Sequence, residues 1–263
     1  MNIFIREWRA NRKALIIWSV CMILFVLIGM SKYTAYSTEG GSDIFNQMPT
    51  TMKALLGIGS FDVTTMSGFY AFLYPYLALT TGIHAVLLGN GIIAKEERDK
   101  TTEFLMAKPV SRASIITAKL MVAVINVLII NLITLVSSIL MVSAYNKGES
   151  ITGEIVVFLI DMLITQLIFL TIGTLLSAFY RNPKASGALA TGILFGAYII
   201  SKVTDITDQL GFLNILSPLK YFSYQRIVEG NGLNIGIVLL SIALIAACTS
   251  LTYLCYQRRD LSI

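Results

Sequence analysis

Residues 120–145 read LMVAVINVLIINLITLVSSILMVSAY, an unbroken stretch without a single charged side chain. A run of about 20 apolar residues, rising about 1.5 Å per residue, spans the hydrocarbon core of a bilayer as one helix. This stretch is apolar on every face, whereas a membrane-crossing strand needs only about 9 to 11 residues of alternating polarity. The same reading applies to five further blocks, 14–31, 68–94, 155–180, 185–203 and 233–256. The sequence therefore predicts an all-α integral membrane protein: six transmembrane helices in a single domain over residues 1–263.

Composition agrees. The chain is 56% hydrophobic and 13% charged, with a mean hydropathy of +0.74. A soluble domain of this length carries about 25% charged residues. The net charge of +5 then reflects topology and contact with anionic lipid, and nucleic acid is not an expected partner. With the amino terminus inside, fourteen Lys and Arg residues fall on the cytoplasmic side and six outside. Such a bias places both termini in the cytoplasm.

The basic start (Arg6, Arg9, Arg12, Lys13) and the apolar run behind it have the outline of a secretory signal. The run is too long, lacks a convincing A-x-A site and precedes five more spans, so it is expected to stay as the first helix. Residues 2–12, with Trp8 at headgroup depth, read as a short interfacial helix or as a frayed tail drawn to lipid phosphate.

Several chemistries lack their parts. Cys21, Cys248 and Cys255 lie in apolar runs without CxxC spacing and read as small hydrophobes. His84 is the one histidine, too few for a metal cluster. Neither G-x-S-x-G nor paired intramembrane aspartates occur, so no catalytic residue or metal ligand is expected. No G-x-x-x-x-G-K-[ST] occurs either, so a P-loop for ATP is missing from this chain.

Against this background residues 95–118, KEERDKTTEFLMAKPVSRASIITA, form an island of charge. Lys95 to Lys100 mix both signs, as suits a helix end leaving the membrane. Thr101, Thr102 and Glu103 give a helix-start signal, Phe104, Leu105 and Met106 an apolar tip, and Pro109 a stop. Ser111 can cap the next helix, which carries Lys119 into the third span. Two readings stand side by side: a short helix entering a partner's groove, and a helical hairpin lying on the bilayer.

These residues resemble a known family. Glu97, Thr101 to Leu105, Pro109 to Arg112 and Lys119 are similar to the cytoplasmic loop of ABC-2 type permeases, the membrane subunits of bacterial ATP-binding-cassette exporters of the type V kind. Met48-Pro49, Lys53 to Gly57, Gly68-Phe69-Tyr70 and Leu216 to Phe222 extend the resemblance over almost the whole chain. One departure is Thr101, where many relatives have glycine. The resemblance implies a coupling helix at 101–108 seated on a P-loop ATPase, with Glu97, Thr102, Glu103, Phe104, Leu105, Met106, Pro109 and Arg112 as contact residues. It implies two ATPase chains carrying the ATP and Mg, a second permease copy or paralogue, and a bacterial plasma membrane. The expected action is export of an amphiphilic substrate (an antimicrobial peptide, a lipid-like molecule or a drug) by alternating access. It also implies short re-entrant helices in an outer-gate segment, 204–232, with Pro218, Tyr221 and Phe222 as gate residues.

Within the membrane, Asp161 is the one acid set well inside a run, and such groups usually face protein or a wet cavity. Thr165 follows one turn on, Asn131, Thr134 and Ser138 form a stripe on the third span, and His84 and Gln166 add polarity near mid-membrane. They read as pathway-lining residues or as hydrogen-bond partners between helices. Ala188, Gly192 and Gly196, like Ala243 and Ala247, repeat every four positions and allow close helix approach. The outer tyrosines read mostly as a headgroup belt. The competing class is a six-span carrier, channel or scaffold outside the ABC systems. A carrier should show inverted repeats and a channel a filter segment, and neither is evident.

Overall fold

The computed structural model describes residues 3–37, 48–49, 52–53, 62–99, 110–146, 148, 150–180 and 182–258. Among these, six helices are long and apolar enough to cross a membrane. They are α1 (Ile3–Ser31), α2 (Met66–Arg98), α3 (Arg112–Tyr145), α4 (Thr152–Phe179), α5 (Pro183–Ile206) and α6 (Ile235–Arg258). Several starts are fixed by caps written in the sequence. Thr65 accepts from Gly68 N at 3.1 Å and opens α2, and Ser111 accepts from Ser114 N at 3.2 Å and opens α3. Asn182 caps α5, followed by Pro183 in the first turn, whose missing N–H costs nothing there.

The helix α1 is continuous from Ile3, so the stretch 2–12 is, from Ile3 onward, the first turns of the spanning helix. Its buried residues Leu15, Ser19, Met22, Val26 and Met30 recur at helical spacing along one stripe, while Ile16, Ile17, Leu24 and Ile28 are exposed on the other. α2 and α4 form the centre, packing most extensively on each other, with α1 against α3, α6 against α4, and α5 against α2.

Lipid offers apolar side chains as much as a neighbouring helix does, so tight assembly in a membrane depends on close backbone approach. Gly89 and Gly173 provide it. A Cβ on Gly89 would lie 2.2 Å from Leu170 O, and one on Gly173 would lie 2.6 Å from Val86 O. The small-residue repeat on α5 behaves differently: a Cβ on Gly192 or Gly196 would meet nothing within 4 Å, and Ala243 and Ala247 on α6 are exposed.

Between α5 and α6 the chain makes a 3-10 stretch (Asp208–Leu216), a second short one (Pro218–Lys220) and a short helix (Tyr224–Val228). Ser217, Pro218, Leu219 and Phe222 in this segment are buried. Gly230 and Gly232, at φ +77° and +60°, adopt the left-handed conformation that lets the chain turn into α6.

Candidate functional site

The end of the bundle that carries α1's first turn, the last turn of α2 and the start of α3 holds a cluster of charges. Lys119 is fully buried. Its Nζ donates to both Glu96 carboxylate oxygens at 2.8 Å and to Ile92 O at 2.6 Å, and lies 3.8 Å from Glu7 Oε1. Arg6 Nη2 donates to Glu96 Oε1 at 2.9 Å and to Glu7 Oε1 at 3.0 Å. The remaining Glu7 oxygen faces Lys95 Nζ at 3.9 Å. Three cations and two acids from three helices are thereby interlocked, and each buried charge has opposite charge within reach, as burial requires.

This cluster straddles the two ends of the 99–111 connection. Glu97 is half-buried in the last turn of α2. Arg112, the first residue of α3, donates Nη1 to Gln257 O at 3.1 Å, placing a cation on the carboxyl end of α6, where the helix dipole favours it. Thr117 and Tyr253 hydroxyls meet at 2.7 Å and strengthen that α3–α6 join. Thr102, Glu103, Phe104, Leu105, Met106 and Pro109 lie outside the described residues.

The polar residues of the spans lie inside one chain's bundle. Thr165 Oγ1 donates to Asp161 Oδ1 at 3.3 Å and lies 3.4 Å from Pro218 O. Asp161 is only 4% exposed. Asn131 Nδ2 donates to Leu159 O at 3.1 Å and reaches Gln166 Oε1 at 3.4 Å, joining α3 to α4. Tyr70 OH donates to Ser138 Oγ at 3.0 Å, and Thr134 bonds back to Ile130 O. His84 stands apart, its ring 5.2 Å from that of Trp18 in an edge arrangement.

The outer segment is fastened over this polar core. Ser217 Oγ donates to Ala197 O at 2.8 Å and Tyr224 OH to Leu219 O at 2.9 Å. The rings of Tyr74, Phe158 and Tyr224 stack around Asp161's end of the bundle, with Tyr74 4.7 Å from Phe158 and 5.3 Å from Tyr224. Burial, then the Asp161 charge, pushes the Tyr224 phenol well above its ordinary value. Burial also raises Tyr221, whose hydroxyl donates to Ile215 O at 3.0 Å. Phe222 is buried and Tyr221 half-buried. At the rim, Lys220 hydrogen-bonds Asp205, which also meets Lys202 at 3.5 Å. Burial, with the Lys202 charge adding to it, lowers Lys220 to about 8.

Sequence reading missed the five-residue charge cluster as a unit. Two signals pointed to it: Glu7 is a lone acid in a basic amino-terminal stretch, and Lys119 leads directly into an apolar run. Neither reveals its partner, because the pairing joins positions 90 residues apart, as in Arg6 and Glu96.

The family model described as ABC-2 family transporter protein matches residues 1–261. No curated protein matches the chain. With six apolar helices and a match over nearly its full length, the chain belongs to the ABC-2 family, whose members are membrane permease subunits that work with ABC ATPases.

Proposed function

We propose that this permease subunit exports an amphiphilic substrate across a bacterial plasma membrane by alternating access, with both termini in the cytoplasm. Two copies, or this chain and a paralogue, would form the translocator. Two ATPase subunits carrying ATP and Mg would dock on residues 101–108, with Phe104, Leu105 and Met106 as the apolar tip. The observation that carries this reading is the joining of both ends of the 99–111 connection by Glu96 and Lys119, with Arg6 and Glu7 adding α1. A push on that connection would reach α1, α2 and α3 together, because a buried cluster of paired charges has few alternative arrangements.

The two-copy assembly is supported by the open faces of Gly192 and Gly196 on α5 and by the exposed apolar residues Ile193 and Ile199 beside them. An amphiphilic cargo fits a chain whose exposed faces carry few fixed charges. For Asp161, Thr165, Asn131, Thr134, Ser138 and Gln166, their bonds within one chain favour a role in holding helices and the outer segment together. Family membership sets the carrier and channel readings aside.

The test is copurification with a coexpressed ABC ATPase partner, in wild type and in Phe104→Asp. Wild type is expected to retain the ATPase and the variant to lose it while still inserting in the membrane. Equal retention by both would overturn the placement of the docking helix.

A further inference from the structure

We infer that the cavity at the end of the bundle opposite the Lys119 cluster binds a quaternary ammonium ion, its charge facing Glu154 and its alkyl groups against Tyr33 and Tyr145. The cavity holds about 500 Å³ and lies between the short helix after α1 (Tyr33–Tyr36), the start of α2, the end of α3 and the start of α4. That volume falls within the about 300–1,000 Å³ usual for a small-molecule site. The inference needs neither the ATPase nor transport, so it stands apart from the docking reading above.

Among the described residues lining the cavity, Glu154 alone carries a charge. Its carboxylate is half-buried and accepts from Ser67 Oγ, and no Lys or Arg among the described residues pairs with it. Other acids of the chain differ: Glu7 and Glu96 face Lys119, and Asp205 faces Lys202 and Lys220. Glu154 sits in the first turn of α4, where the helix dipole supplies only about half a positive charge. Negative charge therefore remains at the cavity wall, and a partly desolvated carboxylate favours a cation beside it. The wider field has the same sign. Residues 32–67 and 145–154, which supply the lining, contain five acids against three lysines, whereas the whole chain has 15 acids against 20 cations.

The rest of the lining suits a cation that carries alkyl groups. A quaternary ammonium has no N–H to satisfy, and it is held by negative charge and by the faces of aromatic rings. Tyr33 and Tyr145 supply two half-buried rings, and Met66 and Ile151 add apolar surface. Tyr33 is held in place by its hydroxyl, which donates to Thr64 O at 3.3 Å. Thr64 stands three residues before Ser67, the partner of Glu154, so the ring and the carboxylate are fixed at the same short stretch of chain.

Equilibrium dialysis of the detergent-solubilised chain against radiolabelled choline tests this. Wild type should bind choline saturably, and the uncharged isostere in which carbon replaces the choline nitrogen should not displace it. Glu154→Gln, which keeps an acceptor for Ser67, should weaken binding about tenfold through the loss of one half-buried ion pair. Tyr145→Leu should weaken it about threefold while Tyr145→Phe leaves it unchanged, since the ring face makes the contact. Melting checks that each variant folds, and if one does not, competition by the isostere in wild type carries the test. Absence of saturable binding, displacement by the isostere, or unchanged affinity in folded Glu154→Gln or Tyr145→Leu would overturn the proposal. So would equal displacement by potassium, since the site would then take any cation.

Discussion

Lys119 and Glu96 meet across the ends of the 99–111 connection, the lysine fully buried and its Nζ 2.8 Å from both carboxylate oxygens. The pair ties α2 and α3, consecutive in the chain, into one body at that end, and Arg6 and Glu7 bring α1 into it.

Removing one partner leaves an uncompensated buried charge. Glu96→Gln or Lys119→Met alone is expected to destabilise the chain by about 3–5 kcal/mol, and the double variant by much less than the sum, because a neutral or apolar pair of similar size restores packing. Thermal melting of the four proteins in one detergent gives the coupling energy. Additive losses would show that the two side chains act independently.

Backbone contact between α2 and α4 predicts a steric effect. Gly89→Val drives its side chain against Leu170 O, only 2.2 Å from where a Cβ would stand, and should sharply reduce folded yield. Gly196→Leu, whose Cβ meets nothing within 4 Å, should leave folding intact and instead reduce self-association, read by single-molecule photobleaching in vesicles. Wild-type self-association in the latter would move the second permease copy to another face.

Thr165 ties Asp161 and Pro218 together. Thr165→Val should speed amide exchange over 208–222 several-fold while leaving α2 and α4 protected, since Pro218 O, which still accepts from Tyr221 N at 3.4 Å, loses its bond to α4 and only the local opening equilibrium weakens. Asp161→Asn, which keeps a hydrogen-bonding group of the same shape, should change exchange less. Unchanged exchange in Thr165→Val would separate the outer segment from this bond.

The rim lysine gives a pH dependence. Lys220 is held down to about 8 by burial, then by Lys202, although it touches Asp205. A lysine whose folded value lies below its unfolded one binds fewer protons in the native state, so stability rises as pH climbs from about 8 toward the ordinary lysine range near 10.5. Its half-exposed position makes the effect small. Acylation at Lys220, followed by mass spectrometry, should show a rate inflection near pH 8, absent in a Lys220→Gln control; an inflection near 10.5 would contradict the assignment.

Much of this architecture was legible in residues 120–145 and the five blocks like them, because lipid demands about 20 apolar residues per helix and little in a soluble chain imitates that. Ser111 as the cap of α3 was equally readable, being local chemistry. Helix partners were not: Gly192 and Gly196 repeat at a spacing that advertises contact yet face open space, whereas Gly89, four positions after Ala85, and Gly173, four before Ser177, share that spacing and do touch, so the spacing alone does not tell which faces meet. The start of α1 at Ile3 was hidden because charged residues there are held by Glu96 and Lys119, partners distant in sequence. For the same reason Asp161 could be singled out by its depth, while its bond to Thr165 and closeness to Pro218 needed three dimensions.

The central claim is that the charge cluster carries ATP-driven movement from the 99–111 connection into the helices. Spin labels at Arg9 on α1 and Lys184 on α5, neither of them buried and both at the same end of the bundle, report it in the complex with its ATPase. The Arg9 to Lys184 distance should change on ATP addition in wild type, and that change should be lost in the folded Glu96→Gln, Lys119→Met double variant while the ATPase remains bound. The same ATP-dependent change in that variant would contradict it.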